Sequence, residues 1–215
     1  MADYTLYYSQ CRPASPQSCL MADCHMSSNR RSCVNHFSHN HPLRPIKVKA
    51  EEELICSGCG LDLSGSAFKC SKSNCGFILH NSCFKLEPVL EHKSHPDHPL
   101  TLLSTPPKCY RNKRFICDAC GDYGTSFDYH CSSCQFDLHV GCALLPKTTK
   151  HVDHEHPLTL LYSSSFSCSC SCDRGNDNVT FVCDVCDEVV RKKHWVYYCE
   201  KCDYGTHLLC TTHEC

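Results

Sequence analysis

Apolar residues in this chain fall into short runs punctuated by cysteine and histidine, not into long amphipathic stripes. Phe68-Lys69-Cys70 and Phe127-Asp128-Tyr129-His130 alternate with period two and predict short, edge-like strands, each running into a cysteine pair. The stretch from Gly76 to Lys85 predicts a short helical turn with His80 and Cys83 on one face, since residues three apart share a face. Its counterparts are 135–144 and 203–211. Regular structure should otherwise be thin. No run approaches the roughly 18 apolar residues of a membrane span. Residues 1–38 are polar, rich in Ser, Asn and Arg, and predict a flexible N-terminal extension. Residues 163–178, SSSFSCSCSCDRGNDN, predict a low-complexity loop.

The pattern repeats three times. ICSGCGLDLSGSAFKCSKSNCGFILHNSC begins at Ile55, ICDACGDYGTSFDYHCSSCQFDLHVGC at Ile116 and VCDVCDEVVRKKHWVYYCEKCDYGTHLLC at Val182. Each runs C-x2-C, a spacer of ten, ten or twelve residues, a second cysteine pair, and H-x2-C. The second pair is C-x4-C in the first unit and C-x2-C in the others. A histidine leads each unit, in His41-Pro42-Leu43, His98-Pro99-Leu100 and His156-Pro157-Leu158. Another trails the first two at C-x8-H, as His92 and His151. The expected modules are therefore 39–92, 95–151 and 154–215, the last carrying the 163–178 insert.

Composition says what these positions are for. The chain has 24 cysteines and 16 histidines in 215 residues, which leaves a disulfide scaffold or a metal scaffold. The first twenty residues lack the basic and apolar regions of a secretory signal. The expectation is an intracellular protein, cytoplasmic or nuclear, whose thiols stay reduced. Disulfides have no use for histidines in register with the cysteines; zinc does. The 41% hydrophobic content includes those cysteines, so little remains for three small cores. Units of about 50 residues are marginal without a staple. A structural zinc contributes on the order of 10 kcal/mol, comparable with the whole stability of a typical domain. A net charge of −2 and a pI near 6.7 argue against a nucleic-acid binder. The short basic run Arg191-Lys192-Lys193-His194 reads as a solvated loop.

A full unit offers eight donors, enough for two tetrahedral sites, and spacing alone does not say which pair joins which. The order of donors resembles the C1 zinc domain, and more closely its divergent plant relative, the Cys/His-rich DC1 domain. The phrases HNHPL, HPDHPL and HEHPL, each followed by C-x2-C and then by CQFDLHVGC or its counterparts, carry the likeness over 39–210. It implies a small zinc-stabilised α+β module with short strands and one short helix. It also implies interleaved sites. In module one Cys56, Cys59, His80 and Cys83 would hold one ion, and His41, Cys70, Cys75 and His92 the other. Module two would use Cys117, Cys120, His139 and Cys142, then His98, Cys131, Cys134 and His151. Module three would use Cys183, Cys186, His207 and Cys210, then His156, Cys199, Cys202 and a fourth donor from His213, Cys215, Cys168, Cys170 or Cys172. That amounts to two Zn2+ per module, five or six in total. His39, His95 and His154 are expected beside the metal, not on it, and Phe77, Phe136 and Tyr204 as parts of the small cores. Cys11, Cys19, Cys24, Cys33 and Cys109 have no repeated spacing and read as free thiols.

Closed four-donor sites leave no position for a reacting water, so the leading expectation is a non-enzymatic interaction or signalling array acting through a protein partner. The family members that bind diacylglycerol have spacers of about 13–14 residues with a Gln-Gly phrase. The shorter spacers here lack it, which argues against lipid binding. A PHD- or RING-like chromatin or ubiquitin-pathway protein is an alternative, but no further C-x2-C follows the third unit. A thiol–disulfide redox protein is another, although the βαβ context of a redox C-x2-C is absent.

Overall fold

The computed structural model describes residues 33–162 and 179–211. The insert 163–178, most of the extension, and all five fourth-donor candidates of module three lie outside the described residues. Three four-stranded antiparallel sheets repeat along the chain. The first orders Val34–His36, His39–Val48, Gly65–Cys70 and Ile78–His80 side by side. The second orders Val89–His92, His95–Leu103, Asp128–Cys131 and Phe136–His139 in the same way. The third uses Thr148–Thr149, Leu158–Leu161, Val196–Cys199 and Tyr204–His207. The last strand of each sheet runs directly into one helical turn: Asn81–Phe84, Val140–Ala143 and the 3-10 turn Leu209–Thr211. Small antiparallel ribbons carry the first C-x2-C of each unit, formed by Leu54–Ile55 with Asp62–Leu63, Phe115–Ile116 with Tyr123–Gly124, and Val179–Val182 with Val189–Arg191.

Strands cover the positions expected at 68–70 and, from Asp128, at 127–130; the helical turn expected over 76–85 is confined to Asn81–Phe84 and carries Cys83, while His80 ends the strand before it. Each core is narrow. The leucine of every His-Pro-Leu phrase, Leu43, Leu100 and Leu158, is fully buried. It anchors its strand where the alternation points one residue inward for every residue it leaves outside. Tyr129 and Tyr197 occupy one position in modules two and three and are almost fully buried. Their hydroxyls donate to the Glu87 and Pro146 carbonyls, at 2.9 and 2.7 Å, and tie down the segment entering each sheet. Module one has Phe68 there, stacked on Phe84 with ring centroids 3.9 Å apart.

The module limits differ from those expected. His92 pairs with His95 across the hairpin that opens the second sheet, so Val89–His92 belongs to module two. Thr148–Thr149 likewise opens the third sheet, with His151 in the turn that follows. In module one the matching hairpin begins at Val34, inside the stretch assigned to the extension. A module therefore starts one hairpin earlier than its His-Pro-Leu phrase. The chain packs as two compact units, residues up to Phe115 with Gly124–Val140, and Ile116–Tyr123 with Gly141 onward.

Replacing Leu158 with Ala should lower the unfolding free energy of the metal-loaded protein by about 2–5 kcal/mol, the usual cost of such a cavity. Denaturant titration followed by tryptophan fluorescence reads it directly, because Trp195 is the chain's one tryptophan and lies in the same module.

Candidate metal centres

The first cluster of each module joins the ribbon to the helical turn. In module one Cys56, Cys59, His80 and Cys83 bring their donor atoms within 4.8 Å of one another, and Cys117, Cys120, His139 and Cys142 do the same. Cys183, Cys186, His207 and Cys210 repeat the arrangement: His207 Nδ1 lies 3.4 Å from Cys186 Sγ and 3.9 Å from Cys210 Sγ. The matching distances from His80 Nδ1 are 3.4 Å to Cys59 and 3.8 Å to Cys83. The ribbon tip is a tight knuckle closed by an N–H to C=O bond from Gly60 to Cys56, Gly121 to Cys117 and Asp187 to Cys183, at 2.9, 2.8 and 3.0 Å. Its last residue has positive φ in all three modules. Backbone N–H groups of Gly58 and His80 point at the Cys56 sulfur, at 3.4 and 3.3 Å, and His207 N–H approaches Cys183 at 3.5 Å. Such donors favour the thiolate. His80 Nε2 lies 3.0 Å from the Asp62 carbonyl, which fixes the tautomer and leaves Nδ1 for the metal.

The second cluster lies on the main sheet. His39, His41, Cys70 and Cys75 converge in module one, His95, His98, Cys131 and Cys134 in module two, and His154, His156, Cys199 and Cys202 in module three. Two leading histidines therefore complete each site. His39 Nε2 lies 3.3 Å from both Cys70 and Cys75 and 3.2 Å from His41 Nδ1. His98 Nδ1 and His156 Nδ1 lie 3.3 Å from Cys134 and Cys202. These sites are shallower than the first ones: Cys134 and Cys202 are exposed, whereas Cys70, Cys131 and Cys199 are buried.

The donors fit zinc. A regular tetrahedron with ordinary Zn–S and Zn–N lengths separates S from N by about 3.6 Å and two nitrogens by about 3.3 Å. The observed S to N separations run from 3.3 to 3.9 Å, around the first of these values. The buried Nε2 atoms of His95 and His154 have no hydrogen-bond partner, and both belong to these clusters. Thiol crowding points the same way. Hydrogen bonds from Cys59 and Cys83 hold the Cys56 pKa far below the usual thiol range. The bond to Cys56 pushes Cys83 far above it, and Cys117 does the same to Cys142. Three thiolates share one such site only around a cation.

Grouping in the second clusters departs from the sequence-based assignment in one respect. His39, His95 and His154, expected beside the metal, stand among the donors. His92 and His151, expected as trailing donors, sit one hairpin turn earlier in the next sheet. There His92 Nδ1 lies 2.8 Å from Ser94 Oγ, and His151 Nδ1 accepts the Asp153 N–H at 3.2 Å. His36 does the same in module one, with Nδ1 2.6 Å from Ser38 Oγ. The outer nitrogen of His151 meets the Cys210 carbonyl at 3.2 Å, pinning the hairpin to the turn that carries the last cysteine. Module three thus has four second-site donors without any of the five candidates named for it. The motif that marks a module is H-x2-H-x1–2-H-P-L, and its first histidine is His36 in module one. The two-or-three-residue step between the ligating histidines is absorbed by a bulge beside it. A second signal was also present. Phe77, Phe136 and Tyr204, read as core, stack flat on His39, His95 and His154 with centroids 4.2, 4.7 and 4.3 Å apart. Each aromatic ring orients the first ligating imidazole. Cys109, read as a free thiol, is disulfide-bonded.

Module two holds a further polar group that the sequence reading passed over. His130 Nδ1 lies 2.7 Å from Asp137 Oδ1, and Tyr110 donates to Asp137 Oδ2 at 2.6 Å. Asp128 is fully buried beside them, with neither carboxylate oxygen hydrogen-bonded. Burial first, then the Asp137 charge, pushes the Asp128 carboxyl up to about 8. Modules one and three carry Ala67 and Val196 at this position.

Comparison with known proteins follows the same lines. The C1 domain family matches residues 37–84 and 93–143, each starting at or near a leading hairpin and ending at a helical turn. A probable nucleoredoxin 1 from Arabidopsis thaliana is 38% identical over 64 residues, 30% of this chain. The chain spans only 10% of that protein's length, so the likeness concerns the module and not the whole. No solved structure matches the chain.

Two variants separate the groupings. His39→Ala should remove one metal from the count given by native mass spectrometry, whereas His92→Ala should leave the count unchanged. Asp128→Asn tests the buried acid. An acid whose proton is held more tightly in the native state loses stability as pH rises from its unfolded value toward the native one. The variant should therefore gain melting temperature over wild type progressively between pH 6 and 8, and level off above about 8.

Proposed function

We propose that this chain, a C1 domain protein of the Cys/His-rich DC1 type, binds six zinc ions and acts without catalysis as an adaptor in signalling. Its zinc would build surfaces that a protein partner recognises. The observation that carries this reading is donor saturation. Each cluster supplies four Cys or His donors, so a bound zinc keeps no position for water or substrate, and neither hydroxide generation nor carbonyl polarisation has a place to occur. Zinc bound in this way contributes folding free energy.

Two further expectations belong to the same proposal. Reduced thiols are required for loading, which supports an intracellular setting. No helix among the described residues is long and apolar enough to cross a membrane. The family resemblance supports a signalling role, and with the Arabidopsis relative it supports a plant protein. The redox chemistry in that relative's name stays with that relative, of which this chain spans a tenth.

Native mass spectrometry of protein prepared in zinc should show six ions. Chelation should collapse the near-ultraviolet dichroism cooperatively, and zinc should restore it. A count of three or fewer, or a chelated protein that keeps its fold, overturns the structural role. A zinc-loaded chain that hydrolyses ester or phosphate substrates, in a manner abolished by a single ligand variant, overturns the non-catalytic one.

A further inference from the structure

The modules are joined by one repeated contact. The backbone N–H of Phe127 donates to the Gly58 carbonyl at 2.9 Å, and that of Trp195 to the Ala119 carbonyl at 2.8 Å. In both cases the acceptor is the third residue of a C-x2-C knuckle. The donor is an almost fully buried aromatic residue, four positions before the second cysteine pair of the following module. At the second of these junctions, packing continues one residue back. His194 lies so close over Gly121 that a Cβ there would stand 2.2 Å from its Nε2. The equivalent residue at the first junction is Ser126, 3.2 Å from where a Cβ on Gly60 would be.

The second junction also carries an insertion. The spacer of module three is two residues longer than that of module two, and the added length falls between Val190, in the ribbon strand Val189–Arg191, and Trp195. It forms the turn Arg191-Lys192-Lys193-His194, closed by an N–H to C=O bond from His194 to Arg191 at 2.9 Å. Module two has only Thr125-Ser126 in this place, with no charge. Beside the basic turn opens a cleft of about 290 Å3. Arg191, His194 and Leu208 line it, together with Trp195 and the metal donors Cys120, His207 and Cys210. Two apolar side chains in the lining are left largely in water, Val189 at 52% and Leu209 at 61% exposure. Among the described residues that line it, Asp122 is the single carboxylate and Arg191 the single guanidinium; beyond the lining, the exposed Lys192 and Lys193 continue the turn and the exposed Asp187 and Glu188 precede Val189.

We propose that this cleft binds an acidic segment of a partner protein, taking one apolar side chain between Val189 and Leu209 with flanking carboxylates on the Arg191–Lys193 turn. The size selects this occupant. A cleft just below the range of small-molecule pockets holds one or two side chains, and an extended peptide supplies those while its remaining length stays in solvent. The basic rim selects acidic neighbours and would draw them by charge. This inference rests on the reading of the chain as an adaptor for a protein partner.

The test titrates a fluorescein-labelled octapeptide of alternating Glu and Leu into the zinc-loaded full chain, read by fluorescence anisotropy. Alternating Lys/Leu and Glu/Ser peptides are the controls. Binding should be at least about ten-fold tighter for Glu/Leu than for either control and should weaken with salt. The double variant R191E/K193E and the single variant Leu209→Ser should each weaken it by about ten-fold, with metal counts unchanged by native mass spectrometry. Equal binding of all three peptides, or binding indifferent to both variants, overturns the cleft. So does saturable capture of the chain by phosphatidylserine vesicles through Arg191 and Lys193 in preference to the peptide. Such a failure with six metals still bound falls on this cleft alone. The adaptor reading fails separately, by metal count or by catalysis.

Discussion

Four donors held at tetrahedral spacing are the constraint on which the rest of this structure depends. Each ion would tie together segments far apart in the chain: Cys56 with His80 and Cys83 across one module, and His39 with Cys70 and Cys75 across its sheet. Closing loops of this length costs chain entropy that cores as narrow as Leu43 with Leu79 cannot offset by burial alone. The fold is accordingly arranged around the donors. Knuckles end in left-handed residues, backbone amides point at sulfur, and flat rings brace the imidazoles.

The two kinds of site divide the labour by depth. First clusters combine the ribbon with the helical turn and place two of their cysteines deep in modules one and three, Cys56 with Cys83 and Cys183 with Cys210, and one, Cys117, in module two. Second clusters lie on the sheet, with one buried cysteine and the other near or at the surface. Module two adds a chain from half-buried Tyr110 to buried Asp137 and His130, and Asp128 within a few residues of its donors. Its sheet is thereby set apart from the hydrocarbon-lined equivalents around Ala67 and Val196.

Much of this was legible in the sequence because spacing encodes it. C-x2-C and H-x2-C placed the first clusters, alternation placed the strands entering the second pair, and the His-Pro-Leu leucines are buried as their pattern required. What could not be read was which histidine closes the second site. His92 and His151 keep a constant distance from the preceding cysteine, because each module follows its predecessor at a fixed interval. Periodicity along the chain therefore looked like membership in the earlier module. The hairpin register, which assigns His92 to the next sheet, is a tertiary fact. His39 and His41 are two apart and share a strand face, which was a usable signal. His95 and His98 are three apart and share one only through the bulge, and that masked the rule.

The knuckle-to-aromatic contact gives the array a direction. A knuckle receives the next module's Phe127 or Trp195, and the equivalent position in module one is Ser66. The first module can thus hold a successor but has no ring to offer a predecessor. Duplication can lengthen such a protein from within, since an inserted copy of module two presents both halves of the joint. Exchanging modules one and three would break the joint in which module one, with Ser66 in place of the ring, has to follow module two. The order of the repeats thus matters to the joints between them, although each repeat carries its own metal donors.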